Sequence, residues 1–349
     1  MQARIPAPMR APTRRAVPDS LRANGGRDNE LGVAARPVVK WAGGKSRLLD
    51  RLMDRMPAGP FDTYAEPFCG GGAMFFALAA QPVRPFRRAL LSDKNEELVA
   101  LYQAIKADVD RLIVLVRRYQ EKHFALPVEA QAEHFYAVRK LDTSAMTNPE
   151  RGARLLFLNK TCFNGLWRVN ASGQFNVPFG KYKNPKIFDE EGLRAAHEAL
   201  AFAEIRCTDY SSVTRELEKG DFAYFDPPYM PVSRTSNFTR YAAEGFGWEQ
   251  QVELAAELAR LGKRGVNAML SNACTPELEA VYEEHGFRVQ KIRAARAINS
   301  DPTKRGDVDE LVVTNYGEAR PASRRGRARA SAPPAGASER RGARRRAAV

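Results

Sequence analysis

The segment Phe222-Ala223-Tyr224-Phe225-Asp226-Pro227-Pro228-Tyr229 sets an apolar run directly against an acid, two prolines and a tyrosine. A short apolar run of this kind suits a buried strand. The prolines end it, because each fixes φ and removes an N–H donor. Ligands of open α/β sheets bind beyond the carboxyl ends of the strands, so Asp226 stands where such a ligand would lie. The same grammar recurs upstream. Residues 63–65 read as a short strand running into Glu66-Pro67-Phe68-Cys69-Gly70-Gly71-Gly72, followed by a helix from Ala73 to about Ala80. Residues 88–92 read as a second strand ending at Asp93. The next helix starts at Asn95, places Leu98, Leu101, Tyr102 and Ile105 on one face, and takes Asp93 or Ser92 as its cap. Further strands fall at 266–271, 287–292 and 310–316, with a helix over 249–261. Strands alternating with helices predict an α/β fold, a Rossmann-like and mostly parallel sheet.

Between these halves the text changes. From about Leu112 to Asn159 three helical patterns follow, broken by Pro127 and Pro149. The stretch from Asn159 to Tyr182 then shows little periodicity and is rich in Asn, Gly, Phe and Arg. A loop of that length is rarely idle in a compact domain. The expected organisation is a basic tail over 1–36, a first α/β part over 37–106, a helical insert over 107–185, a second α/β part over 186–316, and an Arg-rich tail over 317–349.

Composition narrows the function classes. With 349 residues, 44% of them hydrophobic, the chain can bury one large or two modest cores, which excludes wholesale disorder. No apolar run approaches the roughly 18 residues of a membrane span, and the arginine-rich start lacks the apolar core of a secretory signal. Of the net charge of +14, residues 1–36 supply +4 and residues 317–349 supply +8. The tails lack apolar periodicity and read as disordered; their arginines suit sequence-independent attraction to nucleic acid phosphates. Cys69, Cys162, Cys207 and Cys274 form no metal-binding pair and no disulfide framework, and the four scattered histidines suggest neither zinc nor a triad. No metal is expected.

Three motifs carry chemistry. The glycines of 66–72, between strand and helix, let backbone approach a ligand at a helix N-terminus. Asp93 follows Gly72 by 21 residues, a spacing at which an acid binds ribose hydroxyls. Together they point to an adenosine-containing cofactor. Lys40-Trp41-Ala42-Gly43-Gly44-Lys45-Ser46 resembles a phosphate loop only superficially, since that motif needs a glycine where Val39 stands. A loop presenting Trp41 and Lys45 to an aromatic, anionic ligand fits better. Finally, the Asp226 carboxylate and the Pro227 carbonyl make two acceptors at one rigid spot, able to hold both hydrogens of an exocyclic amine. Tyr229 supplies a flat face on which a base can stack. No cysteine sits in a comparable motif, so the substrate's own nitrogen must be the nucleophile.

From about Val38 to Tyr316 these motifs, in this order, resemble the Dam family of adenine-N6 DNA methyltransferases, the D12 class. Lys40–Lys45 resembles its opening segment, Glu66–Gly72 its cofactor loop, Ser92–Asn95 its ribose-binding motif and Asp226–Tyr229 its D-P-P-Y. Phe163–Arg168 and Phe175–Gly180 resemble its DNA-reading segment. Ser236–Thr239 and Leu270–Asn272 also match. The resemblance implies the S-adenosylmethionine-dependent methyltransferase fold with an inserted helical DNA-recognition domain. It implies S-adenosyl-L-methionine held by Trp41, Lys45, Phe68, Gly70, Asp93 and Asp226. It implies catalysis by Asp226, Pro227 and Tyr229, and double-stranded DNA contacted by Phe163, Asn164, Arg168, Tyr182 and Asn237. Phe163 would wedge beside an extruded adenine, within GATC. A monomeric, cytoplasmic, nucleoid-associated enzyme of prokaryotic or phage type follows, solitary or paired with a restriction nuclease. Rival readings are an amine methyltransferase acting on RNA or protein, a catalytically idle DNA-binding relative, and an ATPase built on Gly44-Lys45-Ser46.

Overall fold

The computed structural model describes residues 33–229, 246–295 and 307–317. Asn237, with the rest of Ser236–Thr239, and nearly all of both basic tails lie outside the described residues.

Among the described residues, seven strands form one sheet: β1 (Phe61–Glu66), β2 (Phe86–Asp93), β3 (Ala203–Cys207), β4 (Phe222–Phe225), β5 (Asn267–Ala273), β6 (Arg288–Ala295) and β7 (Asp307–Thr314), in the order β3-β2-β1-β4-β5-β7-β6. The first five pair in parallel, and β7 inserts antiparallel between β5 and β6. β4 is buried throughout, as expected of a parallel strand covered on both faces. Alternation splits its side chains between two apolar clusters. Tyr64, Phe222 and Tyr224 face one, with Leu52 of α1 (Leu49–Met53), Met74, Phe75 and Phe76 of α2 (Ala73–Ala79) and Leu98 and Leu101 of α3 (Glu96–Ala107). Ala65, Ala223 and Phe225 face the other, with Leu254 and Leu258 of the helix Trp248–Lys263 and Leu278 and Tyr282 of the helix Pro276–Glu284.

Four α-helices follow α3 before β3 among the described residues: α4 (Val109–Ala125), α5 (Val128–Arg139), α6 (Asn148–Thr161) and α7 (Glu190–Leu200). Only Asp108 separates α3 from α4, and its carboxylate caps α4 by accepting the Arg111 N–H at 3.1 Å. Leu112, Val116, Phe135 and Phe157 of these helices join the same apolar cluster as α3. Pro127 and Pro149, read as breaks, stand at the starts of α5 and α6, where a missing N–H costs nothing.

Two local expectations need correction. The cap of α3 is Asn95, whose side chain accepts the Leu98 N–H at 3.0 Å, rather than Asp93 or Ser92. Strand β3 was not anticipated. It is a five-residue edge strand with Glu204 exposed, so it shows no apolar run to find.

Candidate active site

The sheet changes direction at β1: the chain proceeds outward through β2 and β3, then returns to add β4 on the other side of β1. Such a switch point opens a crevice at the carboxyl ends of the strands. Here it is a cleft of about 1090 Å³, and Trp41, Lys45, Phe68, Gly70, Asp93, Asp226, Pro227 and Tyr229 all line it.

The glycine loop between β1 and α2 is held from three sides. Asp93 Oδ2 accepts the Gly70 N–H at 2.9 Å, the Tyr102 hydroxyl donates to the Gly70 carbonyl at 2.8 Å, and the Cys69 N–H donates to the Ser92 carbonyl at 2.9 Å. Gly70 adopts φ +49°, and a Cβ there would stand 3.1 Å from the Trp41 ring, so only glycine allows this close approach. Burial pushes the Asp93 carboxyl up, while the N–H groups of Asn95 and Gly70 pull it back. Asp93 therefore shapes the loop as well as facing the cleft.

Lys45 is almost wholly buried, at 4% side-chain exposure. Its ammonium donates to Asp226 Oδ1 at 2.7 Å, to Asp226 Oδ2 at 2.8 Å and to the Gly43 carbonyl at 2.8 Å. It also lies 4.7 Å from the centre of the Tyr229 ring. The sequence reading placed Lys45 and Asp226 in one site without pairing them. Ser271 Oγ approaches Asp226 Oδ1 at 3.3 Å, and the Tyr224 hydroxyl contacts Ser271 at 2.8 Å. Burial raises the Asp226 carboxyl, and the charge and hydrogen bonds of Lys45, then the Ser271 bond, oppose that rise. A carboxylate offers about four lone-pair sites. Lys45 and Ser271 engage three of them, which leaves one on Oδ2.

The turn after Asp226 is equally fixed. Gln251, fully buried, donates to the Pro228 carbonyl at 3.1 Å, and Asn272 donates to Gln251 at 2.8 Å. The Tyr229 hydroxyl donates to Glu310 at 2.9 Å. Among the described residues nothing donates to the Pro227 carbonyl, so it remains an acceptor beside Oδ2. Glu66, at the end of β1, accepts from the Tyr64 hydroxyl at 2.8 Å and the Phe75 N–H at 3.0 Å. Burial lifts its carboxyl to about 8, so it stays neutral at pH 7.

Sequence reasoning missed part of the cleft wall. Tyr210 and Phe246 face Phe68 with ring centres 5.5 and 5.4 Å away. Tyr210 follows the end of β3, so recognising that strand would have located it. Gln251 and Glu310 were missed too, for they act across long stretches of chain.

Phe163, Asn164, Arg168 and Tyr182 do not line the cleft. They belong to the segment leaving α6, which turns through a single 3-10 turn at Phe163–Gly165. Asn164 takes a left-handed φ of 56°, and Phe163 is 48% exposed. The segment is pinned near its base: Phe163 N–H donates to the Pro178 carbonyl at 2.9 Å and Gly180 N–H to the Thr161 carbonyl at 2.8 Å. A Cβ on Gly180 would stand 2.6 Å from the Cys162 carbonyl oxygen. Arg168 is exposed, its Nε fixed on Asn176 Oδ1 at 2.7 Å, which leaves its terminal N–H groups outward. Tyr182 is half-buried, with Lys40 Nζ 5.6 Å from its ring centre.

The family described as D12 class N6 adenine-specific DNA methyltransferase matches residues 41–298. A type II methyltransferase, M.MjaIII of Methanocaldococcus jannaschii, is 40% identical over 289 residues, covering 80% of this chain and 99% of its own. The type II methyltransferase M1.LlaDCHI of Lactococcus lactis subsp. cremoris is 40% identical over 288 residues, covering 81% and 96%. The DNA adenine methylase of Escherichia coli strain K12 is 34% identical over 278 residues, covering 80% and 94%.

Proposed function

Because the chain belongs to the D12 class N6 adenine-specific DNA methyltransferases, we propose that it methylates the 6-amino group of an adenine extruded from duplex DNA, with S-adenosyl-L-methionine as donor and GATC as target. The observation that carries this reading is the pair of acceptors, Asp226 Oδ2 and the Pro227 carbonyl, held rigid at the switch-point cleft by Lys45 and Gln251. The residues fit the donor. The cleft joins a glycine backbone that tolerates no Cβ, an acid at the end of β2, and aromatic rings from Trp41, Phe68, Tyr210 and Phe246. Asp93 would face the ribose, and Phe68 and Phe246 the adenine of the cofactor. When bound, S-adenosylmethionine supplies an electrophilic methyl group on a sulfonium sulfur.

The chain's own work is positioning. The target adenine must leave the stack, since its amine is unreachable inside the duplex. Asp226 and Pro227 accept the two amine hydrogens and aim the nitrogen lone pair into the cleft. A methyl group supplied there would be taken by the nitrogen lone pair, the sulfur would leave with the electron pair of the carbon–sulfur bond, and the methylated amine would release one proton to solvent. Asp226 stabilises the positive charge developing on that nitrogen. Lys45 opposes the rise that burial imposes on the Asp226 carboxyl and fixes its orientation, so little reorganisation remains at the moment of reaction. Tyr229, tethered to Glu310, offers its ring to the extruded base.

Residues 107–185 serve as the target-recognition insert, between two parts of an S-adenosylmethionine-dependent methyltransferase fold. Phe163 wedges into the gap left by the adenine, while Asn164, Arg168 and Tyr182 lie on the DNA; the likeness of this segment to the Dam family supports GATC. The test uses the full chain, methyl-labelled S-adenosylmethionine, and duplexes that carry GATC or a single substitution within it, with RNA alongside. Label recovered as N6-methyladenine from the GATC duplex alone is the expected result. Label on RNA, or on every duplex equally, overturns the reading.

A further inference from the structure

Resting on that reading, we propose that Asn159 is a positioning residue that couples cofactor occupancy to DNA recognition. Asn159 stands near the end of α6, is fully buried, and carries no catalytic duty. All of its side-chain polar atoms are engaged across two functional segments. Its Oδ1 accepts the Lys40 N–H at 2.9 Å, and its Nδ2 donates to the Lys40 carbonyl at 2.8 Å and to the Gly165 carbonyl at 3.0 Å. One amide thus grips both backbone groups of the residue before Trp41, and also the carbonyl of the residue after Asn164.

The two segments touch in two further ways. Lys40 lies so close to Gly165 that a Cβ there would stand 2.5 Å from Lys40 Cδ, and Gly165 itself needs φ +65°. The Trp41 ring, which closes over Gly70, stacks on Trp167 with centres 6.1 Å apart; Trp167 in turn packs on Phe175 at 4.6 Å. Among the described residues Trp167 Nε1 is buried without a partner, so the ring serves through its faces. A ligand that fixes Trp41 from the cleft side therefore fixes Lys40, and through Asn159 it fixes the turn that displays Phe163 and Asn164. The route works equally in reverse, because a coupling between two binding sites is reciprocal.

The experiment measures binding without turnover. Affinity for S-adenosylhomocysteine is determined with and without a GATC duplex, and duplex affinity with and without S-adenosylhomocysteine, for the wild type, Asn159→Ala and Asn159→Asp. Asn159→Asp keeps the size but turns an acceptor toward the two carbonyls that Nδ2 now serves. In the wild type each ligand tightens the other by about fivefold or more. In both variants the factor falls below about twofold, and the affinity of either ligand measured alone changes less than the factor does. A folded variant that keeps the wild-type factor overturns the proposal, as does a wild type whose ligands bind independently. If the Asn159 variants do not fold, Trp167→Leu reads the same factor through the stacked rings, and an undiminished value there overturns it too. A wild type that couples the two ligands but does not methylate adenine would refute the proposed function alone.

Discussion

The floor of the cleft and the segment that displays Phe163 are built on opposite plans. At the floor, Asp226 is bonded by Lys45 and Ser271, the turn behind it by Gln251 and Asn272, and Tyr229 by Glu310. Those side chains come from segments spread over most of the sequence. In the display segment Phe163, Asn164 and Arg168 project outward, and the hydrogen bonds gather at the base, around Cys162, Pro178 and Gly180. On the proposed function, the difference follows from the partners that each would meet. Aligning a lone pair with a methyl group rewards rigidity, since a misplacement of about 1 Å costs on the order of a hundredfold in rate. Entering a duplex requires side chains with a rigid base and a free tip.

The largest effect should come from the floor. Asp226→Asn keeps the shape but removes the charge, and methyl transfer should fall by roughly a hundredfold to a thousandfold. Asp226→Ala should do at least as much, and should lower the melting temperature as well, because Lys45 is left buried with the Gly43 carbonyl. Activity within a few-fold of wild type in a labelled-methyl assay would remove Asp226 from the chemistry. Arg168→Ala comes next. It should cost roughly 1–3 kcal/mol of discrimination against a wrong base pair while barely touching affinity for random duplex. Equal losses on cognate and random DNA, read by fluorescence anisotropy, would make Arg168 a phosphate contact instead.

Acid should separate the two regions. His123 and His134 face each other across 3.4 Å beneath Phe157 and Phe179, and among the described residues His123 Nε2 is buried without a partner. Burial, with help from Lys122 and His123, depresses His134 to about 4. An unfolded chain binds that proton near pH 6.5. The stability this neutral pair contributes is thus fully present above pH 6.5 and is lost as the pH falls from there through 4. Duplex binding should fail before S-adenosylhomocysteine binding on titration to pH 5. A replacement of His134 by Phe should flatten the difference, and simultaneous loss of both activities would deny it. The smallest effect concerns the tails. A chain trimmed to residues 34–318 should keep its target sequence and its rate, yet bind random DNA with a shallower dependence of log affinity on log salt. An unchanged slope would mean that the arginines do not touch DNA.

The floor was more legible in the sequence than the way it is held. Strand ends marked by Asp93, Glu66 and Asp226 announce themselves locally, because an apolar run stops at a polar residue beside glycine or proline. The pairing of Lys45 with Asp226 spans 181 positions, and no local pattern encodes it. The same holds for Gln251 on Pro228 and for Asn159 on Lys40, both of them uncharged amides that read as ordinary helix residues until the partner backbone is seen. Strand β3 escaped because half of it faces solvent. The cap at Asn95 escaped because Asp93, two residues earlier, is an equally good capping residue and spends its carboxylate on the Asn95 and Gly70 N–H groups instead.

The order of strands in the sheet also sets a timetable for synthesis. β1 pairs with β4 through Tyr64 and Phe222, residues separated by α3 to α6 and the segment that displays Phe163. A ribosome thus delivers the glycine loop, Asp93 and the segment that displays Phe163 before Asp226 exists, and although β2 can pair with β1 at once, its second parallel partner, β4, arrives only after about two-thirds of the chain. β7, with the glutamate that tethers Tyr229, comes later still. Closing such distant pairs is slow relative to local helix formation. During translation the emerging enzyme can therefore assemble its α4–α6 helices, while the methylating centre waits for release of the last strands. A chain truncated before Phe222 keeps the glycine loop and Asp93 but lacks Asp226, and it should transfer no methyl group.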